Sequence, residues 1–331
     1  MNPIRRILIA VKNPDSSRQA GVDKAIDIAR QLGAAVELFH AISTPVFLEI
    51  EPIAGHSLAQ IKRESLKLRT ARLKKLAQRA QKKGVKATSH VAWDFPPHEA
   101  IVRRADSIHA DLIIAECHEG KRLAPWLLHL TDWELLRLSS RPVLLLKNDQ
   151  KWREPVILGA VDPAHAHAKP AGLDAEILAQ ASGLGRKLKG SFELMHANFP
   201  TGFALLAATE APDGNLIASA YEAQKTRSKT TFEKFAREAR IPTSCCHLLD
   251  TDPVFAIPQI ARAIGADLVV MGAVSRSGLK RVLIGNTAER VLAKLPCDVL
   301  VVKPPRFQRR VETKARGMRV IAPPPVFPLA V

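Results

Sequence analysis

Long apolar runs are missing from this chain, its four cysteines follow no recognisable spacing, and acids almost vanish from one stretch of more than twenty residues. Each shortage closes off a class of protein. A membrane-spanning helix needs roughly 20 consecutive apolar residues, and no run approaches that. The N-terminal MNPIRRILIAV passes from two arginines into an apolar segment too short for the core of a secretion signal, so the expected compartment is the cytoplasm. Cys117, Cys245, Cys246 and Cys297 form no CxxC or Cys/His pattern of a zinc module. They read as small, mostly buried hydrophobes. No nucleophile elbow, Walker lysine or pair of catalytic carboxylates is present either.

The acid-poor stretch is Lys62 to Lys83, KRESLKLRTARLKKLAQRAQKK, where ten Lys/Arg residues face a single acid, Glu64, in a chain of net charge +17. Leu66, Leu73, Ala77 and Ala80 recur at near-helical spacing, which predicts one amphipathic helix with a basic outer face. Such a face suits RNA, DNA or another anionic partner, or is merely solvated. It lacks the interleaved aromatics of a single-strand binder.

What is present in quantity is repetition. At 331 residues the chain is long enough for two domains. VELFHA (36–41) matches FELMHA (192–197), HADLIIA (109–115) matches GADLVVM (265–271), and PVLLLK (142–147) matches DVLVVK (298–303). All three pairs share the offset 156, the mark of duplication. Within each copy short apolar runs alternate with helical patterns, which predicts α/β architecture: two tandem doubly wound parallel sheets of five strands, Rossmann-like or flavodoxin-like, with ligands at the carboxyl ends of the strands. The expected domains are 1–150 and 151–305, followed by a Pro- and Arg-rich tail, 306–331. Each copy's last strand would be an exposed edge, and pairing residues 142–146 with 298–302 across a pseudo-two-fold axis would cover both. That arrangement is an intrachain pseudo-dimer.

The second copy carries a candidate phosphate cradle. After the apolar run ADLVV come Met271 and Gly272, a small basic loop with Arg276, Lys280 and Arg281, and then Gly285, Asn286 and Thr287 at the start of another apolar segment. Phosphate binding requires backbone N–H groups free of an obstructing Cβ and a helix N-terminus beyond them. Gly272 and Gly285 meet the first requirement, and Asn286 and Thr287 can donate hydrogen bonds and cap the helix. In the first copy the matching positions are Glu116, His129 and Leu130, where a carboxylate repels phosphate and bulky side chains block the backbone. Asp162, in LGAVDP, is matched there by Lys12. This half is expected to be structural or to bind something else.

These residues resemble the universal stress protein family, whose nucleotide-binding members carry Gly, two residues, Gly, nine residues, then Gly followed by Ser or Thr. Here the pattern falls on Gly272, Ser275, Gly285 and Asn286, and two of the four positions match. WDFPPHEAI (93–101), TDWELLR (131–137) and GNTAERV (285–291) extend the likeness to tandem members of the family, over roughly residues 4 to 305. The resemblance implies a stress-response regulatory protein binding ATP or a related adenine nucleotide, with slow hydrolysis at most. It places Ala160, Val161 and Asp162 at the end of the first strand of the second copy, with Asp162 contacting the adenosine part. Ala197 lines the same pocket, and Met271 and Val274 flank the phosphate loop. At Ser275 two readings stand: its Cβ obstructs the ligand, or its hydroxyl binds phosphate.

Two further features keep other functions open. His165 and His167, in DPAHAHAKP, fall in six extra residues of the second copy and are two candidate zinc ligands with no third apparent from spacing. FPTGFALLAATEAP (199–212) is an apolar excursion that covers the core or lines a pocket for an apolar small molecule. His40 and His196 read as satisfied strand-end residues. The alternatives to a nucleotide-binding regulator are therefore an interaction protein using its basic helix on RNA or a protein partner, and a binder of an apolar small molecule. A homodimer of the tandem chain is also compatible.

Overall fold

A computed structural model describes residues 3–43, 46–47, 58–117, 130–165, 172–198, 214–272, 286–305, 307, 311–317 and 320–321. They fall into two compact units: residues 4–116, 122–139 and 309–331 in one, and 1–3, 117–121 and 140–308 in the other.

The unit of the first repeat contains β1 (Arg6–Ala10), α1 (Ala20–Leu32), β2 (Ala35–Ile42), β3 (Val46–Phe47), α2 (Leu58–Lys82), β4 (Ala87–Trp93), α3 (Pro97–Ser107), β5 (Leu112–Glu116) and α4 (Leu130–Leu138). Its strands run in parallel in the order β4-β2-β1-β5. Central strands of a parallel sheet are covered on both faces, which is why β1 and β5 read as continuous apolar runs. Ile7, Leu8, Ile9, Ile113 and Ile114 are all fully buried. The basic segment is a helix as expected: Leu73, Ala77 and Ala80 face inward, and Arg79 and Lys83 reach Asp23 on α1.

The second unit contains β6 (Val143–Leu146), β7 (Val156–Val161), α5 (Leu173–Lys187), β8 (Ser191–Ala197), α6 (Gly214–Glu238), β9 (Cys246–Leu249), α7 (Pro253–Ala263), β10 (Leu268–Gly272), α8 (Asn286–Lys294) and β11 (Asp298–Val302). Five parallel strands run β11-β10-β7-β8-β9. Beside β11 lies β6, antiparallel, with Val299 opposite Leu145, Leu300 opposite Leu144 and Val301 opposite Val143. The final strand of the first repeat is thus paired with the final strand of the second, as the edge argument requires.

The duplication extends to polar anchors. Asp111 accepts the backbone N–H groups of Arg5 and Arg6 at the start of β1, and its equivalent Asp267 accepts that of Val156 at the start of β7. His40 bonds through Nδ1 to the Val11 carbonyl, and its equivalent His196 to the Val161 carbonyl. The helix-to-strand turns match as well. The left-handed residues are Gly33, Gly84 and His109 in the first repeat and Lys189, Arg240 and Gly265 in the second, each pair 156 apart.

Candidate functional site

The carboxyl ends of β10, β7 and β8, three neighbouring strands, bring together the described part of the predicted site. Ala160 and Val161 end β7 and Asp162 follows them; Ala197 ends β8; Met271 and Gly272 end β10. Asn286 and Thr287 open α8. Val274, Ser275 and Gly285 lie outside the described residues, as does His167 and the apolar excursion 199–212. His165 closes a short 3-10 turn, Pro163–His165. Among the described residues no group of three or more His, Cys, Asp or Glu side chains is placed to hold a metal ion.

Asp162 is positioned by its backbone. Its N–H donates to the Asp174 carboxylate at 3.0 Å, and Asp174 stands in the first turn of α5. The Asp162 side chain is 33% exposed, with Oδ1 3.8 Å from His196 Nδ1. A partly exposed carboxylate at a strand end is the acceptor that ribose hydroxyls require.

His196 invites comparison with a catalytic triad, because Nε2 lies 2.8 Å from the Ser228 hydroxyl of α6 while Asp162 sits beyond Nδ1. The hydrogen bonds assign another role. A carbonyl only accepts, so Nδ1 carries the proton toward Val161 O at 3.1 Å, and Nε2 accepts from Ser228. Ser228 and His196 are buried, and the imidazole packs on Phe232. The histidine pins α6 to the end of β7, the structural role that the sequence suggests. In His40 burial pushes the pKa down, with the Val11 carbonyl opposing it.

Gly272 has a packing reason that its motif position does not reveal. A Cβ there would lie 2.6 Å from Cδ2 of Leu173, the first residue of α5. The sequence hides this contact because α5 begins just past the extra residues of the second repeat. Also missed was a polar cluster at the ends of β8 and β9. Asn198 donates to Asp250 at 3.0 Å, and Asp250 pairs with Lys225 of α6 at 2.8 Å. Burial pushes the Asp250 carboxyl up, but the Lys225 ammonium and the Asn198 amide outweigh it and hold the group below the ordinary value. An acid after a strand is too common a turn residue to have signalled this.

In the first repeat Glu116, the equivalent of Gly272, ends β5 and folds onto α1. A Cβ on Gly21 would meet its Cγ at 2.6 Å and its Cδ at 2.7 Å. The position that is bare backbone in the second repeat is a packed carboxylate in the first.

The model described as "Universal stress protein family" matches this chain twice, over residues 3–147 and 174–303. The chain is 27% identical to Universal stress protein E of Escherichia coli K12 over 316 residues, covering 92% of this chain and 96% of that protein. It is 29% identical to a Universal stress protein E homolog of Haemophilus influenzae over 223 residues, 66% of this chain and 71% of the homolog. Among solved structures, a protein of unknown function from Pseudomonas aeruginosa matches with a TM-score of 0.66 and 26% identity, covering 91% of this chain and 93% of that one. A universal stress protein from Archaeoglobus fulgidus matches with a TM-score of 0.58 and 18% identity, covering 90% of this chain and 96% of that one, a likeness of fold.

Proposed function

Because the chain belongs to the universal stress protein family, we propose that it is a stress-response regulator that binds an adenine nucleotide, ATP or a close relative, in its second repeat, with slow hydrolysis or none. The observation that carries this reading is the convergence of Asp162, Ala197 and Gly272 on the ends of three adjacent parallel strands. Ligands of open α/β sheets bind at that edge. Asp162 would hold the ribose, Ala160, Val161, Ala197 and Met271 would line the adenosine pocket, and the N-terminus of α8 at Asn286 and Thr287 would face the phosphates. Val274, Ser275 and Gly285 complete the proposed cradle. In the first repeat the position matching Gly272 is taken by Glu116, packed on Gly21.

Calorimetry with ATP tests the reading. Asp162→Ala should weaken binding by about 1 to 3 kcal/mol through loss of a charge-assisted hydrogen bond, Gly285→Val should abolish it, and Ser275→Gly should leave it equal or tighter. Wild-type protein that binds no adenine nucleotide would overturn the proposal.

A second reading is favoured by α2. Arg69 and Arg72 pair with Asp15, and Arg79 and Lys83 with Asp23, whereas Lys62, Arg63, Lys67, Lys74, Lys75 and Lys82 are exposed. RNA is the partner such a face suits, bound through its phosphates without base selection. Reversing Lys67, Lys74, Lys75 and Lys82 to Glu tests it without disturbing the paired arginines. Retention on RNA at low salt should be lost while thermal stability is unchanged; absence of retention by wild type would leave α2 a solvated face.

A further inference from the structure

The described residues 311–317 and 320–321 follow the second repeat in sequence yet belong to the compact unit of the first. They lie beyond both regions matched by the family. The described part meets the first repeat through a strand pair, backbone hydrogen bonds and an ion pair. Val320 and Ile321 form β12, which pairs in parallel with β3. The backbone N–H groups of Arg316 and Gly317 donate to Asp94 Oδ1 at 2.9 and 3.3 Å. The Arg316 guanidinium reaches Glu99 Oε1 at 2.9 Å.

The receiving surface is built from one buried network. Asp94 directly follows β4, and its other oxygen, Oδ2, accepts from Arg103 Nε at 2.9 Å and Nη2 at 2.7 Å. The third Arg103 donor goes to Glu99 Oε2 at 3.0 Å. Asp94, Glu99 and Arg103 are all buried. Two carboxylates thus share one internal arginine. The remaining negative charge and the two remaining acceptor atoms, Asp94 Oδ1 and Glu99 Oε1, are directed at the tail.

What this notch recognises is generic: two consecutive backbone N–H groups, a guanidinium, and a strand edge. Val311 is buried at the start of the described tail. Residues 312–316 are exposed, the Arg316 side chain is 54% exposed, and the strand pair is two residues long. Contacts of this kind are individually weak and persist because the tail is tethered beside them.

We propose that the notch formed by Asp94, Glu99 and the β3 edge is a docking site for an extended, arginine-bearing polypeptide segment, that Arg316, Gly317, Val320 and Ile321 occupy it as an internal latch, and that a protein partner presenting the same chemistry exchanges with them. Main-chain pairing supplies tolerance of sequence, and the acidic pair selects the arginine. The site stands apart from the nucleotide proposal and does not depend on it.

The test uses the full chain carrying Arg316→Glu, which sets a carboxylate against Glu99 and should release the latch. Hydrogen exchange across 311–321 should quicken at least tenfold relative to wild type. A fluorescein-labelled peptide of sequence VETKARGMRVI should then bind the variant at least tenfold more tightly than wild type by anisotropy. Adding Glu99→Gln, which leaves the Asp94–Arg103 pair intact, or replacing the peptide's arginine at the 316 position with alanine, should abolish the gain. Unchanged exchange in Arg316→Glu, equal peptide binding to both proteins, or binding indifferent to Glu99→Gln would each overturn the proposal.

Discussion

Leu144 and Leu300, equivalent positions of the two repeats, lie directly opposite one another where β6 and β11 pair. The neighbouring pairs, Val143 with Val301 and Leu145 with Val299, are interchanged by the same offset, so a local two-fold passes through the leucine pair. A two-fold pairing is self-complementary, and one apolar strand sequence serves both sides of it. The surrounding polar groups break the symmetry. Asp298, fully buried, accepts from the Lys147 N–H and from the Trp152 indole at 3.0 Å, whereas its equivalent in the first repeat is Pro142.

Directly opposed antiparallel residues share a face of the sheet and touch, so truncating either leucine should be felt by the other. Leu144→Ala and Leu300→Ala should each destabilise by about 2 to 5 kcal/mol, since both side chains are buried. In the double variant the coupling should be about 0.5 to 3 kcal/mol. Urea unfolding of the four proteins measures it; strict additivity would mean that the two side chains do not share a contact.

The left-handed turns give a second expectation. Lys189, Arg240 and His109 have φ of 56, 56 and 52°, where their equivalents Gly33, Gly84 and Gly265 have 69, 80 and 63°, and among the described residues a Cβ on any of these glycines would meet nothing within 4 Å beyond its chain neighbours. A Cβ in this region costs about 1 to 2 kcal/mol, offset in part by the entropy glycine loses on folding. Lys189→Gly, Arg240→Gly and His109→Gly should each raise the unfolding midpoint, and Gly33→Lys should lower it. A Lys189→Gly protein less stable than wild type would show that the side chain contributes more than the strain removes.

Much of the architecture was legible because strands covered on both faces become uninterrupted apolar runs, and runs at a constant offset identify a duplication. The turns were legible on one side only: Gly33 announces a helix end, but Lys189 does the same work and carries no turn signal. The candidate site was legible at Asp162, Ala197 and Gly272, whose strand-end positions follow from the alternation of elements. The hold of Leu173 on Gly272 was not, since the extra residues before α5 obscure where that helix starts. Nor was the role of Asp94. Its backbone partners at Arg316 and Gly317 come from a distant segment, and backbone donors leave no trace in a residue pattern.

The two ends of β11 should respond to pH in distinct ways. Burial pushes the Lys303 ammonium down to about 8, although it sits 4.7 Å from the Phe307 ring. A depressed lysine pKa means that the unfolded chain binds the extra proton between about 8 and the ordinary value of 10.5, so stability should rise with pH across that window. Lys303→Met should remove that part of the slope in unfolding experiments from pH 7.5 to 10. At the other end burial, aided by Asp298, pushes the Cys297 thiol up to about 12. Cys297 should therefore resist iodoacetamide in the native protein at pH 8 and react on denaturation; native labelling of Cys297 at that pH would contradict the buried environment.

The last expectation separates packing from ligand contact at Gly272. Adding a Cβ brings it to 2.6 Å from Cδ2 and 3.0 Å from Cγ of Leu173, and Leu173 adjoins Asp174, which holds the Asp162 N–H. Displacing Leu173 therefore disturbs the carboxylate proposed to hold the ribose. Gly272→Ala should destabilise by about 1 to 3 kcal/mol, the usual cost of overpacking, and should weaken ATP binding through Asp162. Leu173→Ala removes the obstructed side chain at its own cavity cost, so the double variant should be more stable than the sum of the single changes allows. Because the space beside Gly272 is filled by Leu173, ATP binding should largely return in the double variant. A double variant with the stability coupling but no ATP binding would instead assign the bare backbone of Gly272 to the phosphate itself.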